Sequence, residues 1–266
     1  MAKRITALVG VLLMAVPAIA ADRADKRDII RQARAAYYSL RGKGLDAFSA
    51  SASVNWEVVL GPIKTGDDVS QRASAMKLLN GLHFGLAMDA RGKVTVTHRA
   101  DTPAPNDTSQ KGYDQIFGGM EQVITGFYDT YSPFVVTSPF PEVESEYTVE
   151  DIDIGYRVSY KEGTSTSVVT RMTKTFAIID SVVNAADFDS VIKPVFTTTE
   201  QGYVMTAYNG YYKPKTGPGT TLLDCTMEQQ MVDGLRMMKK LHFDSSVDGA
   251  KNQTELTFAD YVIKKK

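Results

Sequence analysis

The sequence predicts an α+β protein built on one large, curved antiparallel β-sheet, a half-barrel packed on two or three helices. Three observations carry this. Helical periodicity clusters in the first half of the chain and strand periodicity in the second. The run Phe48, Ala50, Ala52, Val54, Trp56, Val58, Leu60 is apolar at every second position, against about five or six residues for an average strand. The later strands are joined by short Gly-containing turns, which is the pattern of a meander. Hydrophobic residues make up 43% of the 266, enough to fill one large core, and a single domain over 21–266 is expected.

The chain opens with Lys3 and Arg4, an apolar run from Ile5 to Val16, Pro17, and Ala18-Ile19-Ala20. Positive, apolar and small-residue segments in that order predict a signal peptide, residues 1–20. The apolar run is too short for a membrane anchor, which needs about 20 apolar residues. No cysteine stands at the cleavage point to carry a lipid, and no later stretch is apolar enough to span. The expectation is an exported protein, periplasmic or extracellular in a bacterium, with no transmembrane span in the mature chain. Cys225 is the only cysteine, so packing must supply the stability that disulfides give small secreted domains.

Next, Ile29, Ile30, Ala33, Ala36, Tyr37 and Leu40 recur at helical spacing, with Gly42 and Gly44 as the expected stop. The long alternating strand over 48–60 follows and ends at Gly61-Pro62. Residues 68–82 read as a helix carrying Val69, Ala73, Met76, Leu79 and Leu82. A hairpin comes next: Phe84, Leu86 and Met88 alternate, Asp89-Ala90-Arg91-Gly92 turns, and Val94 and Val96 alternate back. That register pairs Met88 with Val94 and Leu86 with Val96, sets His98 opposite Phe84, and sends His83 to the other face. Residues 100–109 read as a loop. Tyr113, Ile116, Phe117, Met120, Val123, Ile124 and Phe127 then trace a helical stripe over 109–128, in which Gly118-Gly119 suggests close packing against another element. Pro133, Pro139 and Pro141 mark an irregular connection. From Glu146 onward strands dominate: 152–160, 168–179, 202–212, 223–231 and two short runs around Leu241 and Leu256, with turns at Glu162-Gly163, Asp233-Gly234 and Asp248-Gly249.

The chemistry-bearing motifs of common enzymes are missing. There is no G-x-S-x-G elbow, no H-E-x-x-H, no phosphate loop and no dinucleotide fingerprint. His83, His98 and His242 do not converge by strand phase, so no metal site and no cofactor is expected. The acidic run Glu142, Glu144, Glu146, Glu150, Asp151 and Asp153 lacks the glycine-centred loop of a calcium site. It reads as a solvated face or a charged edge that blocks sheet-to-sheet pairing. Cys225 falls on the apolar side of its strand, as a buried thiol does. A net charge of −1 gives no footprint for nucleic acid.

The order of leader, helix ending near Tyr38-Ser39-Leu40, alternating Phe48-Ser49-Ala50-Ser51-Ala52, many strands, and a close through Gly234-Leu235, Leu241-His242-Phe243, Gly249 and Leu256-Thr257-Phe258-Ala259-Asp260-Tyr261 resembles the periplasmic lipoprotein-carrier superfamily of the LolA and LppX type. The resemblance implies a curved sheet wrapped around helices with an apolar cavity between them, and an acyl chain or other hydrophobic ligand. The side chains expected to line such a cavity are Trp56, Val58, Leu86, Met88, Phe117, Met120, Ile124, Leu223 and Met227; the same residues would equally serve as a filled core. The functional expectation is therefore a non-enzymatic carrier or binder of a lipid or acyl ligand in the cell envelope. The alternative is a sensor or interaction module for another envelope protein on the same scaffold.

Overall fold

The computed structural model describes residues 16–62, 68–217 and 219–266, with side chains from residue 25 onward. Most of the predicted leader, 1–15, lies outside the described residues; helix α1 (Val16–Ala35) runs through the predicted cleavage point. No helix among the described residues is long and apolar enough to cross a membrane.

Twelve strands form one open, curved antiparallel sheet, so the α+β class with a large sheet is correct. In chain order they are β1 (Leu45–Val54), β2 (Leu82–Met88), β3 (Val94–Ala100), β4 (Tyr147–Ile152), β5 (Gly155–Glu162), β6 (Thr166–Thr173), β7 (Ile178–Asn184), β8 (Phe188–Thr199), β9 (Gly202–Pro214), β10 (Thr221–Val232), β11 (Leu235–Val247) and β12 (Ala250–Lys265). The helices after α1 are α2 (Trp56–Leu60), α3 (Val69–Asn80) and α4 (Asp107–Val135). Strands β4 to β12 run as an uninterrupted meander, and β12 then pairs with β1, which leads to β2 and β3. The two free edges are β3 and β4, and α4 is the connection that carries the chain from one to the other. Of the acidic run only Glu150 and Asp151 lie on edge strand β4, where Glu150 pairs with Arg157 and Asp151 with Lys174.

The β2–β3 hairpin has the predicted register: Met88 faces Val94, Leu86 faces Val96 and Phe84 faces His98. Gly92 takes the left-handed conformation the turn requires, φ +88°. At the β10–β11 and β11–β12 turns, Asp233-Gly234 and Asp248-Gly249 all have positive φ, the geometry that matches the twist of a tight hairpin.

Several boundaries differ from the sequence expectation. The long strand stops at Val54 rather than Leu60, and Trp56 and Val58 belong to helix α2. Asn55 ends β1: its backbone N–H donates to the Glu255 carbonyl, and its side-chain amide to the Glu255 carboxylate at 2.9 Å. Trp56, Val59 and Leu60 satisfy i, i+3, i+4 as well as Trp56 and Val58 satisfy alternation, so periodicity could not separate the two. The first helix ends at Ala35, before the glycines. Its continuation is taken over by the sheet: Tyr38 N–H donates to the Tyr203 carbonyl and Tyr203 N–H to the Ala36 carbonyl. Helix α4 extends seven residues beyond the predicted end and holds Pro133 inside its last turns, where the missing N–H removes one i→i−4 hydrogen bond. The predicted strand 168–179 is divided by a turn in which Phe176 has φ +67°. Strand β8 escaped the sequence reading because Pro194 interrupts it; the register shift between Val195 and Phe196 lies beside that proline, the kind of place a sheet tolerates one.

The core lies between the concave face of the sheet and helices α1 and α4. Phe117 packs edge-on against Phe84 and stacks on His98, Tyr128 meets Phe48 and Phe258, Phe127 meets Phe243, and Phe134 meets Phe196. Helix α4 thus crosses the concavity from β2–β3 to β8.

Candidate functional site

Five strands, β5 to β9, form a part of the concave face that α4 covers along one side only. Their inward residues stand in register: Tyr160 pairs with Val168, Val168 with Val183, Val183 with Ser190, and Ser190 with Tyr212. At a strand spacing of about 4.8 Å, this row makes a floor on the order of 19 Å long. A second inward row contributes Ser181 and Ile192, which also pair. The opposite wall is the flank of α4 with Gln122, Gly126, Asp129, Thr130, Pro133 and Phe134, together with Pro139. Between floor and wall lies an open groove of about 740 Å³, inside the range of about 300–1,000 Å³ typical of small-molecule sites.

The groove wall on α4 carries one glycine, Gly126. A Cβ built on Gly126 meets nothing within 4 Å, and the same holds for Gly112, Gly118 and Gly119. The expectation that Gly118-Gly119 permits close packing is therefore corrected: these glycines face open space. Each costs a helix interior about 1 kcal/mol relative to alanine, so α4 is held by its aromatic face and not by propensity. One latch ties wall to floor. The Tyr212 ring lies over Gly210, whose added Cβ would stand 2.7 Å from ring atom Cε2. The Tyr212 hydroxyl meets the Thr130 hydroxyl at 2.9 Å.

The lining is amphipathic. Phe134, Pro139, Val168, Val183, Phe188 and Ile192 are among its apolar members, whereas Glu162 and Asp187 stand at the β5–β6 and β7–β8 turns, at one end of the strands. Asp129 precedes Thr130 and so lies near the same end as Tyr212. Surrounding protein raises the carboxyls of Asp129 and Glu162 above the usual carboxylate range by desolvation alone. Both side chains are open to the groove, yet its walls keep enough water away to disfavour their charged forms. Burial likewise raises the Tyr160 phenol, with the Glu162 charge adding to it.

The comparison with known proteins adds no identity. No protein-family model, curated protein or solved structure matches this chain.

None of the nine side chains expected to line a cavity borders this groove. Leu86, Met88, Phe117 and Ile124 are buried in the aromatic core, as are Trp56 and Met227, while Met120 and Leu223 are partly buried against it. Val58 lines a second hollow of about 720 Å³ on the convex side, between α2 and β10–β12, where Asp224 is bonded to Asn209 and Asp244 to Gln253. Met88 also borders a shallow depression of about 330 Å³ near the sheet edge. The expected helix does carry one wall of the groove, on the flank beside its apolar stripe.

Other chemistry-bearing residues are dispersed. His83 lies 2.9 Å from Asp101, His242 lies between Asp244 and Glu255, and His98 stacks on Phe117 with ring centroids 4.1 Å apart. Among the described residues no group of three or more His, Cys, Asp or Glu side chains is placed to hold a metal ion. Cys225 is buried beside Tyr208, and burial pushes its thiol up, away from the thiolate a nucleophile needs.

Proposed function

We propose that this protein is an exported, non-enzymatic binder or carrier of a ligand with an apolar chain, held in the groove between α4 and β5–β9. The observation that carries the reading is the contrast along one concave face. Where α4 lies over β1, β2, β11 and β12 the interface is packed with interlocking aromatic rings; beside the glycine flank about 740 Å³ stays open above an apolar floor. Burying a methylene is worth about 0.8 kcal/mol. A chain of about 12 carbons thus gains roughly 10 kcal/mol, against association costs of about 4–15 kcal/mol, which gives the reversible binding a carrier needs. The leader motif supports an envelope location, and buried Cys225 and dispersed histidines support a non-catalytic role.

The test is to purify the exported protein without detergent and analyse its organic extract by mass spectrometry, beside Gly126→Leu. An acyl or other long-chain species on the wild type and its loss from the variant is the expected result. No ligand on either protein, even after incubation with lipid, contradicts the reading.

A second reading has one observation in its favour. On the convex face Val182, Val191, Tyr211 and Leu222 pair in register across β7–β10 and form a partly exposed apolar row, the kind of patch that another envelope protein covers. In-cell crosslinking from Tyr211 that traps one defined protein supports it; no crosslinked partner contradicts it.

A further inference from the structure

The latch between Tyr212 and Thr130 closes the groove at its β9 side. The second inward row of the floor runs through Thr170, Ser181, Ile192 and Gly210, each paired with the next. The Thr170 and Ser181 hydroxyls satisfy each other at 3.3 Å. At Gly210 the floor has no side chain of its own, and the Tyr212 ring fills the place. A Cβ there would stand 2.7 Å from Cε2 and 3.3 Å from the hydroxyl oxygen. The row therefore ends on a side chain that rotates, not on backbone, and the Tyr212 hydroxyl is held by the Thr130 hydroxyl at 2.9 Å.

Behind that ring stands an unsatisfied donor. Tyr208 points inward beside Gly210 and is 1% exposed, and its hydroxyl makes no hydrogen bond among the described residues. Its polar neighbours are the Tyr212 hydroxyl and the thiol of Cys225, its cross-strand partner. Tyr131 of α4 reaches the same layer: it stacks on Phe127, which packs on Phe243, and Phe243 pairs with Cys225. The Tyr131 hydroxyl is buried and likewise unpartnered. A buried donor left unpaired is costly, so two such hydroxyls in one layer mark a place for an acceptor that the chain does not supply. The layer is also uncharged, since burial holds the Tyr208 and Tyr212 phenols and the Cys225 thiol in their neutral forms.

Resting on the groove as the ligand site, we propose that Tyr212 is its inner gate, and that an uncharged oxygen end of the ligand, an alcohol or an ester carbonyl, replaces the Tyr212 ring over Gly210 and accepts a hydrogen bond from the Tyr208 hydroxyl. The apolar chain lies along Val168, Val183 and Ile192. An oxygen standing where the Tyr212 hydroxyl stands is beside Tyr208 and 2.9 Å from the Thr130 hydroxyl, so the exchange forfeits one hydrogen bond and gains two. Gly210 makes the exchange possible, because any side chain there would occupy the space that ring and ligand share. A carboxylate end is rejected: no lysine, arginine or histidine lines the groove, and a buried charge without a counter-ion is costly.

The experiment is calorimetric titration of the purified protein at pH 7.5 with 1-decanol, methyl decanoate and decanoate, each below its solubility or micellar limit. The alcohol and the ester are expected to bind about tenfold or more tightly than the carboxylate. Tyr208→Phe keeps the ring and removes an unpartnered hydroxyl. It is expected to melt no lower than the wild type and to weaken decanol and the ester about five- to tenfold, the size of one hydrogen bond, with decanoate unchanged. Tyr212→Ala leaves the gate open and is expected to bind decanol several-fold more tightly. Decanol affinity unchanged in Tyr208→Phe, or reduced in Tyr212→Ala, overturns the inner site and leaves the groove as a binding site. Marked destabilisation of Tyr208→Phe shows that its hydroxyl already has a partner and overturns the inner site too. Decanoate binding as tightly as decanol overturns the selection for an uncharged end. Failure of all three to bind either the wild type or Tyr212→Ala overturns the groove itself, and this inference with it.

Discussion

Gly126 shows most directly how one residue separates folding from binding here. Its Cβ position is empty, so leucine there removes a glycine penalty of about 1 kcal/mol from α4 while its side chain stands in the groove. Gly126→Leu is expected to melt at the same temperature as the wild type or higher, and to lose ligand. Scanning calorimetry and a binding titration on the same preparation check both. Gly202 behaves in the opposite way. It has φ +104°, and an added Cβ would stand 2.5 Å from the Ala36 carbonyl oxygen, at the point where the chain leaving α1 joins β9. Gly202→Ala is expected to cost more than about 1 kcal/mol, read as a lower denaturant midpoint. In the groove, folding raises the carboxyls of Asp129 and Glu162, so the folded state binds protons more readily than the unfolded one. Their contribution therefore falls as pH rises from the ordinary carboxylate range through the raised values. Replacing either by its amide is expected to leave stability at neutral pH within about 0.5 kcal/mol or slightly above the wild type.

At the scale of elements, α4 does two jobs with two faces. Its aromatic face fixes it across the sheet: Phe127 is buried, packed on Phe243, Tyr128 and Tyr131. Phe127→Ala is expected to cost about 3–5 kcal/mol in equilibrium unfolding. Its glycine flank leaves space. The sequence made the first face legible, because Phe117, Ile124 and Phe127 follow helical spacing, and the second illegible, because a groove is an absence of side chains and Gly112, Gly119 and Gly126 carry no apolar signal. For the same reason the nine expected lining residues fall mainly in the core: hydrophobicity marks what is buried, whereas open space depends on where the covering helix ends. The β2–β3 hairpin was legible to the residue, since turn chemistry and alternation agree there. Helix α2 was not, since Trp56 to Leu60 fits either period and the decision rests with Asn55 and Glu255, about 200 positions apart.

For the molecule as a whole, the open sheet is closed in sequence only by β12, which bridges β11 and β1. Truncation after Val247 separates β1–β3 from the meander and is expected to abolish the cooperative transition seen by circular dichroism. Acid acts on the same bridge. Lys240, with help from Asn55, holds the Glu255 carboxyl below its ordinary value, so its stabilisation is complete above the ordinary carboxylate range and is lost as pH falls through the lowered one.

Ligand binding requires the unfilled space above β5–β9. Methyl-resolved NMR during titration with a 12-carbon amphiphile tests it directly, because groove and core carry different reporters. Shifts concentrated at Val168, Val183 and Ile192, with Leu86 and Ile124 unmoved, are the predicted result. Shifts at Leu86 and Ile124 with the groove methyls silent, or no shifts at all, would contradict it.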